Sequence, residues 1–301
     1  MIYHHPLAYL LGVEGLALLR AWAGEGEHDE RFVRRRFEAI HRLLDDSELA
    51  AVPGVSVGRD ATSPAYAKWA ATYDDPDNGL FALDEPIIDE ILDRLPVGDA
   101  LDAACGTGRL AARLASRGFR VTGIDGSAEM LEVARTRLPD AKFSEGDLQS
   151  LPLPDDAVDL VTTGLALTHV PDLRPVYAEF ARVLRPGGSL IVSDVHPDLV
   201  LLGSTVKATA ADGGAWLATT HRHSLGDHLR SALAAGFTVL RCEEHPRPAP
   251  ATTDPLPEPT REIGDWSIWP WTLLGWDPEA ARSAWNNPAI TVWHFDLPGR
   301  S

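Results

Sequence analysis

Between residues 98 and 196, short apolar runs alternate with helical stretches at regular intervals, and no other feature of this 301-residue chain restricts its fold as much. The strand-like runs are ALDAA (100–104), FRVTGI (119–124), AKFSE (141–145), VDLVTT (158–163) and SLIVSDV (189–195). Helical periodicity fills Arg109–Ser116, Ala128–Arg137 and Val176–Leu184. Strands joined through helices by short loops run parallel, and a parallel sheet has both faces covered. Further on, SLGDHLRSALAAG opens with a capping box, Ser224 with Asp227, and stops at Gly236. FTVLRCEE (237–244) and ITVWHFDL (290–297) read as two late strands. The expected fold is α/β, a doubly wound, mostly parallel sheet of seven strands that ends in a hairpin.

The flanking regions are less regular. Residues 1–60 read as an N-terminal helical extension, with helices over 7–23 and Glu30–Asp45. The stretch LAYLLGVEGLALLRAWAG is apolar, but Gly12, Glu14 and Gly15 interrupt it and no Lys or Arg precedes it. It is expected to be a buried amphipathic helix rather than a leader or a membrane span. Arg34, Arg35 and Arg36 read as the solvated side of the second helix. The turn-rich VPGVSVGRDATSP (52–64) reads as a linker. Residues 61–245 then form the core domain, 246–289 a Pro- and Trp-rich insertion, and 290–301 the last strand and tail. Trp266, Trp269, Trp271, Trp276 and Trp285 crowd that insertion, which is either a cover over a ligand pocket or a local core anchoring a long loop.

Charge and cysteine usage narrow the function classes. A formal net charge of -17 disfavours nucleic acid and anionic membrane surfaces as partners. Two cysteines, Cys105 and Cys242, suit reduced thiols and a cytoplasmic location. The oligomeric state is not written in the sequence.

LDAACGTGR (101–109) places a glycine turn between a strand and a helix, where open α/β sheets bind ligands. It is not a P-loop, because no G-x-x-x-x-G-K-[ST] is present. Gly106, Gly108 and Ala111 satisfy the relaxed dinucleotide fingerprint. Acids at three successive strand ends, Asp102, Asp125 and Asp147, instead suit a ligand with ribose, an amine-bearing base and positive charge. A pyrophosphate would be repelled.

With these residues in place, residues 100–196 resemble the class I S-adenosylmethionine (SAM)-dependent methyltransferases, closest to the small-molecule group that includes the quinone-biosynthesis type. The matching pieces are ALDAACGTGRLAARLASRG, VTGIDGSAEMLEVAR, EGDLQSLPLPDDAVDLV and FARVLRPGGSLIVSD. The resemblance implies a Rossmann-like methyltransferase fold, SAM as cofactor with S-adenosylhomocysteine as product, and a small-molecule acceptor. It implies that Asp102, Ala104, Cys105, Gly106, Thr107 and Gly108 form the turn lining the methionine and ribose. By the same resemblance Asp125, with Gly126, grips the ribose, and Met130 packs near adenine. Asp147 reaches the adenine amine beside Leu148, Thr163 approaches the methionine end, and Tyr66 and Tyr73 close over the cofactor. Ala104 stands where the family usually has glycine, which a negative φ would tolerate.

Methyl transfer from a sulfonium needs alignment above all, and a base only where the acceptor must lose a proton. His169, Asp194 and His196 stand at strand ends facing one crevice, and the resemblance extends the role of deprotonating or orienting the acceptor to His169 and Asp194. His169 could instead pack under its loop, and Asp194 could serve only to orient a histidine. His221, His223 and His228 lack a further ligand at zinc spacing, so no metal is expected. The leading expectation is methylation of O, N or C on a small hydrophobic or aromatic metabolite, a role in secondary metabolism included. A peptide or protein acceptor, a non-catalytic SAM-binding protein and a nicotinamide-dependent dehydrogenase are the alternatives.

Overall fold

In chain order the first elements are β1 (Ile2–His4), α1 (Pro6–Ala23), α2 (Glu30–Asp45), α3 (Ser47–Ala50) and β2 (Val55–Asp60). Then come α4 (Phe81–Leu92), β3 (Asp99–Ala103), α5 (Arg109–Ser116), β4 (Arg120–Asp125), α6 (Ala128–Arg137) and β5 (Lys142–Glu145). They are followed by β6 (Val158–Gly164), α7 (Leu173–Val183), β7 (Leu184–Val195), α8 (Pro197–Leu201), β8 (Lys207–Thr209) and β9 (Ala215–Ala218). The last are α9 (Leu225–Ala234), β10 (Thr238–Pro246), α10 (Pro278–Ala284) and β11 (Pro288–Asp296). The computed structural model describes residues 1–26, 28–60, 79–209, 213–246 and 255–299, so Tyr66 and Tyr73 lie outside the described residues. The chain divides into two compact units.

One unit gathers the described residues of Ala61–Leu201 with Thr219–His245 and the end of the chain from Pro288. Its seven-stranded sheet has the order β10-β11-β7-β6-β3-β4-β5, with β11 antiparallel to β7 and the pairs from β7 to β5 parallel. The side chains alternate in two-residue steps. Leu101, Val161, Leu190, Val192, Trp293 and Phe295 pack with Tyr177 and Phe180 of α7 and Ala232 of α9. Ala100, Leu160, Ile191, Ile290 and Val292 pack with Ile88 and Ile91 of α4 and Leu110 and Leu114 of α5. Burying each Leu or Ile stabilises the unit by about 1.5–3 kcal/mol. The two helices on that second face are also laced by charge. Arg109 meets Asp84 and Glu85, Arg113 meets Glu85 and Asp89, and Arg117 meets Asp89 and Asp93. Chain order reverses around β3, which opens a crevice at the carboxyl ends of the central strands.

The other unit comprises Met1–Asp60, Leu202–Ala218 and Pro246–Asn287. The helical extension read from the sequence is only part of it. Val55–Asp60, read as linker, is strand β2, paired antiparallel with β1 and parallel with β9, and β8 completes a four-stranded sheet. Val57 is fully buried. Gly58 sits opposite Trp216, whose ring lies so close that a Cβ there would meet it at 2.4 Å. The turn-former is thus a strand glycine covered by an aromatic neighbour. Residues 202–218 leave the seven-stranded unit for the same reason, since β8 and β9 hydrogen-bond here. Trp266 and Trp269 are buried with Leu10, Leu49, Val57, Leu217 and Leu273, so these two tryptophans anchor the insertion in a core.

Helix α1 is apolar enough along its 18 residues to cross a membrane by composition, yet it buries Leu10, Val13, Glu14 and Ala17. Glu14 is matched by Arg36, 3.3 Å away, and Arg36 also meets Asp277 at 2.8 Å and Glu279 at 2.9 Å. The reading of Arg34 to Arg36 as a solvated face therefore fails at Arg36, which is 2% exposed. Acids arriving from α1 and from the start of α10 supply the partners that make its burial tolerable. Burial pushes the Glu14 carboxyl up to about 8, against the pull of Arg36.

Candidate active site

The loops at the carboxyl ends of β3, β4, β5 and β6 enclose a cleft of about 430 Å³, a volume typical of small-ligand sites. Its wall contains Ala104, Gly106, Asp125, Gly126, Ser127, Met130, Gly146, Asp147 and Leu148, with Gly164 to Ala166, His169 and Val170. Those four strands are neighbours, so the cleft extends over three strand spacings, about 14 Å.

The glycine turn is built from behind. Gly108, at φ +81°, begins α5, and a Cβ there would lie 3.2 Å from the Ala134 methyl. Asp102, 1% exposed at the end of β3, accepts from the Ala111 amide at 2.8 Å and from Thr162 Oγ1 at 3.2 Å. Its carboxylate caps α5 and ties β6 to the turn, so it does not reach the cleft wall. Burial pushes Asp102 up to about 7, countered by the Ala111 amide and by Arg109. Cys105 and Thr107 are likewise buried. Ala104, in contrast, faces the cleft at φ +56°, the left-handed region, where a non-glycine residue costs about 1–2 kcal/mol. The negative φ that would tolerate a side chain there without strain is not observed. Its amide neighbours are committed to the turn: Cys105 N–H bonds the Ile124 carbonyl and Gly106 N–H bonds Asp125.

Asp125 ends β4 with one carboxylate oxygen accepting from Gly106 N–H at 2.7 Å and the other from Ser127 N–H at 2.9 Å. Burial raises its pKa, and the amides of Ser127, Gly106 and Gly126 oppose the rise. These bonds fix the carboxylate's orientation, and each oxygen keeps acceptor capacity for a ligand hydroxyl. Asp147 accepts from Gln149 N–H at 2.9 Å. A Cβ on Gly106 would find nothing within 4 Å, and on Gly126 only the Gly146 carbonyl at 3.8 Å. The backbone there is a bare cradle with two carboxylates beside it. It fits a nucleoside carrying positive charge, not a pyrophosphate.

The other end is apolar. Leu165 adopts φ +56°, pinned by its amide to the Ser193 carbonyl at 2.8 Å. Thr163 is buried one residue before Gly164, with no hydrogen-bond partner for its Oγ1 among the described residues. His169 follows in a 3-10 turn, Leu167–His169. Its Nδ1 lies 2.9 Å from the Thr219 carbonyl. A carbonyl only accepts, so Nδ1 carries the proton of the neutral ring and Nε2 the lone pair. Burial lowers the His169 pKa, Thr219 opposes, and His221 adds to the lowering. The ring stays a neutral base through the physiological range.

The remaining two catalytic candidates stand off the cleft wall. Asp194 is 1% exposed and accepts from Thr168 N–H at 3.2 Å. Burial pushes it up to about 7. His196 takes the Asp198 amide on Nδ1 at 3.1 Å and pairs through Nε2 with Glu244 at 2.9 Å. Its ring is consumed in starting α8 and joining it to β10. No group of three or more metal-binding side chains occurs among the described residues, the histidines at 221, 223 and 228 included. Sequence reasoning missed the buried Asp84, which receives both terminal nitrogens of Arg109 and the Ser193 hydroxyl under Gly164.

Strand order and strand-end acids define a Rossmann-like methyltransferase fold. Comparison with known proteins agrees: residues 101–192 match the family model described as a methyltransferase domain. A malonyl-[acyl-carrier protein] O-methyltransferase of Serratia marcescens is 35% identical over 141 residues, 46% of this chain and 54% of that protein. A demethylmenaquinone methyltransferase of Renibacterium salmoninarum is 38% identical over 104 residues, 34% of this chain and 44% of that protein. The chain thus spans about half the length of the curated relatives it matches. Among solved structures, the protein DhpI in complex with SAH superimposes with a TM-score of 0.52 at 23% identity, covering 80% of this chain and 96% of that one, a likeness of fold.

Proposed function

We propose that the chain transfers a methyl group from SAM to a small, apolar metabolite that must lose a proton to react, a hydroxyl or an acidic carbon, in the cytoplasm. When bound, SAM would supply an electrophilic methyl whose bond to sulfur breaks as the acceptor bonds it, the sulfur leaving as the neutral thioether of S-adenosylhomocysteine. Asp125 receives the ribose hydroxyls on the oxygen lone pairs its backbone amides leave open, and Asp147 receives the adenine amine beside Leu148 and Met130. Gly106 and Gly126 give the cofactor close backbone approach. Leu165, Ala166 and Val170 exclude water from the methyl-acceptor end, and His169 Nε2 takes the acceptor proton. Such a positioned base contributes about 10²–10⁴-fold in rate. The observation that carries this reading is the single cleft wall that holds both the fixed Asp125 carboxylate and the neutral His169 ring. The matched relatives are named for methylation of acyl-carrier-bound malonyl and demethylmenaquinone, which supports a metabolite acceptor.

The test is methyl-labelled SAM with purified protein and a small-molecule extract of the native host, products followed by mass spectrometry. A labelled small product is expected and gives the acceptor's mass. Label found only on peptides would overturn the acceptor class, and no label with SAM bound would overturn the enzyme.

A further inference from the structure

Behind the turn that carries His169 runs a buried polar column that the chemistry above does not use. Tyr177, fully buried on α7, places its hydroxyl 2.9 Å from His228 Nδ1. His228, 2% exposed on α9, stacks on Trp293 of β11 with ring centres 6.1 Å apart. Its Nε2 lies 3.8 Å from Asp194 Oδ2 at the end of β7. The other Asp194 oxygen accepts from the Thr168 amide, the residue next to His169. Residues of α7, α9 and β11 thus line up behind Asp194, which alone of them bonds the backbone amide in the cleft turn.

The proton inventory along this column is fixed by its burial. Burial holds the Tyr177 phenol well above its ordinary value, so it keeps its hydrogen and donates to Nδ1. Burial lowers His228 to about 3, so the ring is neutral and its one proton stands on Nε2, toward Asp194. On the far side, Thr168 and His221 exchange two bonds, the His221 amide to the Thr168 carbonyl at 2.7 Å and Thr168 Oγ1 to the His221 carbonyl at 3.0 Å, and Asp194 accepts from the Thr168 amide. The same loop supplies Thr219 for His169 Nδ1, and His223 Nε2 reaches the Val170 carbonyl at 2.7 Å. The Tyr177–His228 and Asp194–Thr168 contacts are hydrogen bonds, while His228 Nε2 and Asp194 Oδ2 face each other at 3.8 Å, in packing contact, and buried polar groups held this way restrict the arrangement of their neighbours.

We propose that Asp194, His228 and Tyr177 are positioning residues that lock the 167–169 turn against the 219–223 loop, so that His169 presents Nε2 to the acceptor. Asp194 acts through the Thr168 amide, not on the substrate. This rests on the reading of His169 as the base, and its test has a readout that does not.

The experiment combines nitrogen-15 NMR of the His169 ring, SAM affinity by calorimetry, and turnover in four proteins: the parent, Asp194→Ala, Asp194→Asn and Tyr177→Phe. In the parent the ring signals are those of the Nδ1–H form. Asp194→Ala is expected to mix the two neutral forms and to lower kcat about tenfold, the scale of one lost hydrogen bond, with SAM affinity within about twofold. Asp194→Asn keeps an oxygen for the Thr168 amide and is expected to restore the single form and most of kcat. Tyr177→Phe keeps the ring packing and is expected to shift the same signals less, which decides the matter if Asp194→Ala does not fold. Unchanged His169 signals in both Asp194→Ala and Tyr177→Phe would overturn the proposal. An Asn variant as poor as Ala would likewise overturn positioning through the Thr168 amide. If the parent methylates nothing, the base reading fails, while the ring signals still decide whether the column positions His169.

Discussion

The two ends of the cleft are built by different means. The nucleoside end is local: Asp125 is oriented by amides of Gly106 and Ser127, and the cradle is bare backbone. The acceptor end is assembled from far apart in the chain, with His169 set by Thr219 and its neighbour Thr168 by Asp194 and His221. A site made this way can keep its cofactor grip constant while distant substitutions retune what it methylates. On the proposed reading, local parts hold the cofactor and distant parts present the base.

Variants can separate the halves. His169→Ala should cut kcat by about 10²–10⁴-fold and leave the calorimetric SAM affinity unchanged. A parallel loss of affinity would merge the two ends. Asp125→Ala should weaken SAM by about 10–100-fold, the worth of one or two hydrogen bonds to a charged group, with kcat at saturating SAM retained. The pH dependence sharpens the contrast. Since the His169 pKa is lowered, the neutral base persists below pH 6.5, so kcat should stay level through that value and fall only at more acid pH. In His169→Gln that acid limb should vanish.

Two smaller effects concern the supports of the nucleoside end. Asp102 is raised to about 7, so the folded state holds its proton where the unfolded chain has released it. Its contribution to stability is complete below about pH 4 and lost as pH rises through 7. Asp102→Asn keeps an acceptor for Ala111 without the charge, and the drop in melting temperature from pH 5 to pH 8 should shrink. Ala104→Gly relieves a left-handed alanine and should raise Tm by about 2 °C, about 1 kcal/mol, at unaltered SAM affinity.

Legibility in the sequence followed the same division. The bounds of α2, α5 and α6 and the Ser224–Asp227 capping box were readable because caps, periodicity and turns act within a few residues. The sheet of β1, β2, β9 and β8 was not, since β2 meets β9 across more than 150 intervening residues and neither strand exceeds six. Arg36 read as solvated because its partners Asp277 and Glu279 are equally remote. The α4–α5 ladder did leave a trace: acids at 85, 89 and 93 and arginines at 109, 113 and 117 share a four-residue step. His228 was weighed only as a metal ligand, for its partners Tyr177 and Asp194 lie on other elements. Left-handed Ala104 and Leu165 carry no mark that residue type could show.

The pairing of Val57 with Ala215 sets a timetable for birth of the molecule. A ribosome adding about 5–20 residues per second needs roughly 10–30 s to travel from one to the other. Throughout that interval β3, β4 and β6 emerge and can find one another, whereas Leu10, Leu49 and Val57 wait for Leu217, Trp266 and Trp269. Leu10, Leu49 and Val57 thus stay without their core partners while the central strands of the other sheet pair, and they are the nascent apolar surface that chaperones have longest to shield.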